Sequence, residues 1–136
     1  ANCYVIETDH SLWLTEMLSE DDTSSGTEIA HGYKDVASFE IDYDGGWPGF
    51  VLLDADNVLY YLDYIDGDGN LQLKKIADNI AAFAFSSVTV ENDCGTHFCI
   101  DTSGQLYALG KNSYGVFGKG RTAGYSDTPV TVAFPN

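Results

Sequence analysis

Short apolar stretches alternate with polar turn residues along this chain, and one such pattern occurs three times. Three segments align without a gap: VIETDHSLWLT at 5–15, LLDADNVLYYL at 52–62 and CIDTSGQLYAL at 99–109. The equivalent leucines are spaced by 47 residues and are Leu12, Leu59 and Leu106. Self-similarity at a fixed period of this length is typical of repeat architectures. The pattern therefore predicts three tandem units of one structural type.

Each aligned segment predicts a β-hairpin. An apolar strand ends at an acidic residue, a polar turn follows, and a second strand begins at the recurring leucine. Asn, Asp and Gly suit such turns because they tolerate left-handed backbone angles, and aromatic residues suit half-buried strands. The recurring residues are the acids Glu7, Asp54 and Asp101, the turn residues His10, Asn57 and Gly104, and the aromatics Trp13, Tyr60 and Tyr107.

A second match predicts an opening strand ahead of the hairpins in units two and three. KDVASFEID at 34–42 aligns with DNIAAFAFS at 78–86 at a shift of 44 residues, which makes Val36 equivalent to Ile80 and Phe39 equivalent to Phe83. The strands predicted in these two units are 36–42, 50–55, 58–65 and 71–77, then 83–91, 97–101, 105–109 and 129–134. No amphipathic helical pattern is sustained anywhere in the chain.

Repeats of this length with four strands are typical of β-propeller blades. We therefore expect an all-β fold of three blades with about four antiparallel strands each, the first blade lacking its opening strand. The blade boundaries are expected near residues 1–35, 36–79 and 80–136 of a single repeat domain. Propellers close with about four to eight blades, so the chain is expected to be part of a larger propeller or of an assembly.

The charge of the chain restricts its partners. The 136 residues include 21 Asp and Glu against 6 Lys and Arg, a net charge of −15. Binding to phosphate backbones or anionic membranes needs clustered basic residues, so neither nucleic acid nor membrane is an expected partner. The three cysteines, Cys3, Cys94 and Cys99, do not form a disulfide framework and leave the redox compartment open.

One acidic stretch resembles the start of a calcium loop. It runs Asp66-Gly-Asp68-Gly-Asn70, with oxygen ligands at alternate positions. The sixth position of such a loop needs Gly and the twelfth needs a bidentate Glu, but the chain has Leu71 and Ala77 there. The alternative is a tight turn between two strands, which the glycines suit. The sequence favours the turn.

Two other candidates for ligand chemistry have structural alternatives. Cys94, His97 and Cys99 would supply only three zinc ligands, and cysteines on a strand more often fill an apolar core. The stretch 118–121, Gly-Lys-Gly-Arg, lacks the spacing of a phosphate-binding loop and suits a connection between strands. We therefore expect no catalytic residues, no cofactor and no bound metal, and hence no enzymatic activity.

One loop residue stands out as a candidate contact for a partner. Trp47 lies in Asp44-Gly-Gly-Trp47-Pro-Gly, where glycines flank it, and Tyr43 precedes the loop. An exposed Trp is a suitable anchor for a protein or a sugar, whereas packing over the blade is the alternative. Trp47, Tyr43 and Asp44 are thus the candidate contacts for a partner or glycan.

The third unit contains a longer pattern, HFCIDTSGQLYALGKNSYGVFGKG at 97–120 followed by DTPVTV at 127–132. Its marked positions are His97, Gly104, Tyr107, Gly110, Asn112, Gly115, Gly118, Thr128, Pro129 and Val130. The combination resembles a repeat of the regulator of chromosome condensation family, although that family usually has Trp at the position of Leu109 and Gln-Leu at Val116-Phe117. The resemblance implies a propeller blade and a non-catalytic, protein-binding scaffold.

Three functional hypotheses follow from the repeats. The first is a scaffold for protein–protein interaction, whose partners are other blades of a longer chain. The second is a module that assembles with copies of itself. The third is an extracellular domain that binds or processes a glycan or other polymer through loop aromatics and acids. In either of the first two, Leu14 and Ala108 are expected to lie in the packing of the end blades, on the faces of Leu12 and Leu106.

Overall fold

The computed structural model describes residues 2–16, 26–40, 48–85, 96–111 and 125–132. Within these ranges every regular element is a β-strand, in three antiparallel sheets, so the predicted all-β, antiparallel architecture is confirmed there. Among these residues there is accordingly no apolar helix of membrane-spanning length.

Each sheet is a meander in which strands adjacent in sequence pair with one another. Sheet 1 contains β1 (Asn2–Ile6), β2 (Leu12–Glu16) and β3 (Thr27–Ala30). Sheet 2 contains β4 (Asp35–Glu40), β5 (Pro48–Leu53), β6 (Leu59–Ile65) and β7 (Leu71–Ala77). Sheet 3 contains β8 (Ile80–Phe85), β9 (Thr96–Asp101), β10 (Leu106–Lys111) and β11 (Tyr125–Thr131). The recurring leucines thus begin β2, β6 and β10.

The three equivalent hairpin turns share one backbone geometry. The N–H of the recurring acid donates to the carbonyl oxygen four residues later, from Glu7 to Ser11 (2.9 Å), Asp54 to Val58 (3.0 Å) and Asp101 to Gln105 (3.0 Å). The fourth residue of each turn adopts a positive φ, of 66° at His10, 65° at Asn57 and 93° at Gly104. A left-handed residue after a tight turn closes a three-residue hairpin loop, which explains the polar or glycine residue at this position.

The middle sheet is covered on both faces. Side chains alternate along β5, so Phe50 and Leu52 pack toward sheet 1 while Val51 and Leu53 pack toward sheet 3. These four side chains are at most 3% exposed. Two apolar cores, which we call the first and second inter-sheet cores, therefore join the three sheets into one stack.

Turn residues also tie neighbouring sheets together at their edges. The carbonyl oxygen of Asn57, in the β5–β6 turn, accepts a hydrogen bond from the N–H of Ile80, the first residue of sheet 3 (2.7 Å). His10, at the equivalent position of sheet 1, has its Nδ1 3.6 Å from a carboxylate oxygen of Asp35, the first residue of sheet 2. The recurring turn position thus contacts the start of the next sheet.

The strand pairing corrects the predicted shift between the opening strands. Val36 pairs with Leu52 and Phe83 pairs with Cys99, so the opening strands follow the same 47-residue step as the hairpins and not a step of 44. An irregularity between Ile80 and Ala82 lets β8 start earlier than the pairing alone requires. The predicted strand 83–91 begins at Ile80 for this reason, and its part beyond residue 85 lies outside the described residues.

The stack is open at both ends in the part of the chain that the structure describes. Leu14 shares the face of Leu12, which packs on sheet 2, so its predicted place in contacts beyond the chain is wrong. The sequence does not show in which direction the sheets stack, and that direction determines which face of sheet 1 contacts sheet 2 and which faces away from it. Ala108 shares the face of Leu106, which is turned away from sheet 2, but Ala108 is 0% exposed in the single chain, so it is already buried without a partner.

Candidate interaction surfaces

The recurring aspartates act as structural elements of their turns. One carboxylate oxygen of Asp101 accepts hydrogen bonds from the N–H groups of Ser103 and Gln105, both at 2.9 Å, and from the Ser103 hydroxyl at 2.7 Å. One carboxylate oxygen of Asp54 likewise accepts hydrogen bonds from the N–H groups of Asp56 and Val58, both at 2.9 Å. These bonds hold the pKa of the Asp101 carboxyl below its ordinary value, because they favour the ionised form.

The stretch that resembles a calcium loop is a fourth turn of this kind. One carboxylate oxygen of Asp66 accepts from the N–H groups of Asp68 and Asn70, both at 2.9 Å, and Gln72 donates to the other at 3.0 Å. Gly69 adopts a φ of 83°, as expected for the fourth residue of the loop. The loop joins β6 to β7, and both oxygens of Asp66 are engaged within the protein.

In the first unit the carboxylate that stabilises the turn belongs to Asp9. It accepts hydrogen bonds from the N–H (3.0 Å) and the hydroxyl (2.6 Å) of Ser11, and Trp13 Nε1 donates to that hydroxyl at 2.8 Å. The hydroxyl bond lowers the pKa of Asp9. The repeat alignment predicts Glu7 as the acid that stabilises this turn. The local signal for Asp9 is the Asp-x-Ser spacing, because an aspartate readily accepts hydrogen bonds from the residue two positions later.

The recurring aromatic of the third unit is joined to its acid. The Tyr107 hydroxyl donates to the second carboxylate oxygen of Asp101 at 3.1 Å, and this bond raises the pKa of Tyr107. Asp101 therefore has hydrogen-bond donors on both oxygens. Such a carboxylate is held in its ionised form and is poorly suited to general acid or base chemistry at neutral pH.

His97 and Cys99 are packed in the protein interior. His97 is 7% exposed and its ring stacks on Phe85, with centroids 4.3 Å apart and planes 15° from parallel. The Cys99 thiol is free and 1% exposed in the second inter-sheet core, and burial raises its pKa to about 11. The thiol is therefore protonated at neutral pH, which disfavours both nucleophilic attack and metal ligation.

Trp47, Tyr43, Asp44, Cys94 and the stretch 118–121 all lie outside the described residues. Among the residues that are described, no three His, Cys, Asp or Glu side chains converge on a point where a metal ion could be held.

A cleft of about 310 Å³ lies where sheet 2 meets sheet 3. Asp78 and Asp101 line it, together with Tyr107. The Asp78 carboxylate is 2.6 Å from Lys75 Nζ, and Asp101 is bound by its own turn and by Tyr107. Both acids that line the cleft are thus already paired within the protein.

The outward face of sheet 3 carries a cluster of apolar side chains. We call it the sheet 3 outer face, and it carries Phe98 and Ile100 of β9, with Leu106 and Ala108 opposite them on β10. Ile100 is 36% exposed, among the large apolar side chains that are most accessible in the described part of the chain, whereas Phe98 and Leu106 are half-buried and Ala108 is fully buried. None of these four side chains is charged, although the chain carries a net charge of −15.

The outward face of sheet 1 also carries apolar side chains. We call it the sheet 1 outer face, and on it Val5 of β1 pairs with Trp13 of β2. Val5 is 37% exposed and Trp13 is half-buried. Glu28 of β3 pairs with Trp13 on the same face, and its carboxylate is 2.8 Å from His31 Nδ1. Both ends of the stack therefore present apolar surface.

Comparison with protein-family models found no match to this chain. Comparisons with curated proteins and with solved structures found no match either. The function is therefore argued from the chemistry of the chain and from the arrangement of its sheets.

Proposed function

We propose that the chain is an array of propeller-type blades that serves as a non-catalytic scaffold for protein–protein interaction. Three antiparallel meander sheets, one of three strands and two of four, repeat at a step of 47 residues and stack through apolar cores, which supports the blade assignment. The likeness of the third unit to regulator of chromosome condensation repeats supports it as well.

The state of the polar groups supports a binding role without catalysis. The turn aspartates accept two or more hydrogen bonds each, and the Cys99 thiol is buried and protonated at neutral pH. Catalytic groups need a pKa near the working pH and access to substrate. The described aspartates with resolved shifts have a lowered pKa, which moves them away from that range.

The observation that carries the proposal is the apolar sheet 3 outer face on an otherwise acidic protein. On this face Ile100 is 36% exposed beside the half-buried Phe98 and Leu106, and accessible apolar clusters on soluble proteins mark interaction sites. In a repeat protein each unit buries its apolar face against the next unit, so an end unit needs a covering partner. A protein surface of complementary shape is the partner that fits this requirement.

The proposal is tested by sedimentation of the purified chain together with binding of a dye that fluoresces on apolar surfaces. We expect either self-association or strong dye binding, because the outer faces must be covered or accessible. A compact, cooperatively melting monomer that binds no dye would contradict the proposal. Specific binding on a glycan array would instead favour the polymer-binding hypothesis.

A further inference from the structure

This inference rests on the proposed scaffold function and names the partner. We propose that the sheet 3 outer face packs on the sheet 1 outer face of a second copy of this chain, head to tail. The argument comes from the two inter-sheet cores, because they show which positions of the repeat meet when one unit stacks on the next.

The same repeat positions supply one side of both inter-sheet cores. In the first core, sheet 1 contributes Tyr4, Ile6 and Leu12. In the second core, sheet 2 contributes Val51, Leu53 and Leu59, each 47 residues further along the chain. The next step of 47 residues leads to Phe98, Ile100 and Leu106, which form the sheet 3 outer face. This face is therefore the same packing surface in its third occurrence.

The opposite side of each core follows the same rule. Sheet 2 contributes Phe50 and Leu52 to the first core, and sheet 3 contributes Cys99 and Tyr107 to the second. Stepping back by 47 residues from Leu52 and from its partner Tyr60 leads to Val5 and Trp13. These two residues form the sheet 1 outer face. One end of the stack thus carries the first half of the repeated interface and the other end carries the second half.

The two outer faces are chemically suited to each other. The Ile100 and Val5 positions correspond to Leu53 and Cys99, which share the second inter-sheet core, so this pair would be buried between two copies. Both side chains are more than one third exposed in the single chain. The carboxylate of the neighbouring Glu28 lies 2.8 Å from His31 Nδ1, so it has a partner within its own chain beside the contact.

Two copies joined in this way would cover the exposed apolar side chains of both outer faces at once. Each copy would supply the three sheets that the described residues form, and six sheets lie within the range of about four to eight that propellers use. The contact is heterologous, because two different surfaces meet, and it closes when the rotation per sheet completes a circle. A sheet 3 to sheet 3 contact would leave both sheet 1 outer faces bare.

The experiment is a complementation test by sedimentation. Ile100→Asp places a charge on the sheet 3 outer face and Val5→Asp places one on the sheet 1 outer face. In a head-to-tail dimer each substitution damages both contacts, so each variant is expected to sediment as a monomer of 14.8 kDa. In an equimolar mixture the intact sheet 3 of one variant meets the intact sheet 1 of the other, and a species of twice that mass is expected to return.

Controls separate this arrangement from other outcomes. Tyr64→Asp alters a side chain that is 58% exposed on sheet 2 and is expected to leave association unchanged. Circular dichroism melting checks folding, and Ile100→Asn with Val5→Asn replaces any Asp variant that fails to fold. If Val5→Asp associates like the unmodified chain, or if the mixture stays monomeric, head-to-tail pairing is overturned.

The unmodified chain distinguishes failure of this inference from failure of the proposed function. An unmodified monomer that binds the apolar dye overturns pairing between copies and leaves the scaffold function standing. An unmodified monomer that binds no dye overturns both.

Discussion

At the scale of single residues, the carboxylates of the turns determine much of the local structure. Each aspartate that begins a turn accepts backbone N–H groups that would otherwise lack a partner within the loop. The left-handed residue that follows is then held in a conformation that side chains rarely adopt. Turn and acid therefore form one unit, which explains why they recur together.

This arrangement predicts a loss of stability in acid. Asp9, Asp66 and Asp101 have a folded pKa below their ordinary value of 3.8, so the unfolded chain binds protons more readily. The contribution of these carboxylates to the free energy of unfolding is complete well above pH 3.8 and is lost as the pH falls through their lower folded pKa. Melting temperatures measured from about pH 5 to pH 2 are expected to decline steadily.

A substitution at Asp101 isolates one of these groups. Asp101→Asn keeps an oxygen that can accept the N–H bonds but removes the charge, so its melting temperature should decline less steeply with acid. Asp101→Ala removes the acceptor as well and should melt at a lower temperature than Asp101→Asn at neutral pH. Equal acid slopes for the unmodified chain and Asp101→Asn would show that this carboxylate does not contribute.

At the scale of elements, burial of the middle sheet on both faces makes its residues sensitive to truncation. Leu52 is fully buried in the first inter-sheet core, so Leu52→Ala removes apolar contacts and leaves a cavity. We expect a loss of about 2–5 kcal/mol in the free energy of unfolding, measured with urea. Tyr64→Ala, at a side chain that is 58% exposed, is the control and should change it little. Similar losses for both would contradict the stacked arrangement.

The hairpins could be predicted from the sequence because their determinants are local. Leu12, Leu59 and Leu106 begin strands in the structure, and the spacing of acid, turn and leucine is constant. The opening strands were harder, because Val36 and Ile80 are both buried β-branched residues that look equivalent. Only the pairing with β5 and β9 fixes their register, and pairing is not visible in a single sequence.

The candidate surfaces could be predicted only in part. The repeat indicates that end units have a bare face, but it does not say in which direction the units stack. That direction decides that Leu14 lies on an inner face and Ala108 on an outer one. The alignment does not reveal that Asp9 accepts the hydrogen bonds of its turn, because a position-by-position comparison matches residue types and ignores how far each side chain reaches.

At the scale of the whole molecule, the net charge of −15 opposes any contact between copies. Among the side chains named above on the outer faces, Glu28 is the one acid, so we expect the repulsion to come mainly from more distant charges and to be screened by salt. Association is therefore expected to strengthen between about 0.01 M and 0.15 M NaCl, as the screening length falls from about 30 Å to about 8 Å. Sedimentation at the two concentrations measures this. Weaker association in salt would indicate that ion pairs join the copies.

The uninterrupted apolar run Phe50 to Leu53 has a consequence for how the chain is made. Sheet 1 precedes sheet 2 along the chain, so the residues that cover Phe50 and Leu52 are synthesised before them. Val51 and Leu53 are covered by sheet 3, which begins at Ile80 and is synthesised later. Meanwhile an uncharged segment with high β-propensity stays open to the solvent, the condition under which partly made proteins aggregate. The net charge of −15 is expected to oppose association of such intermediates until sheet 3 has been synthesised.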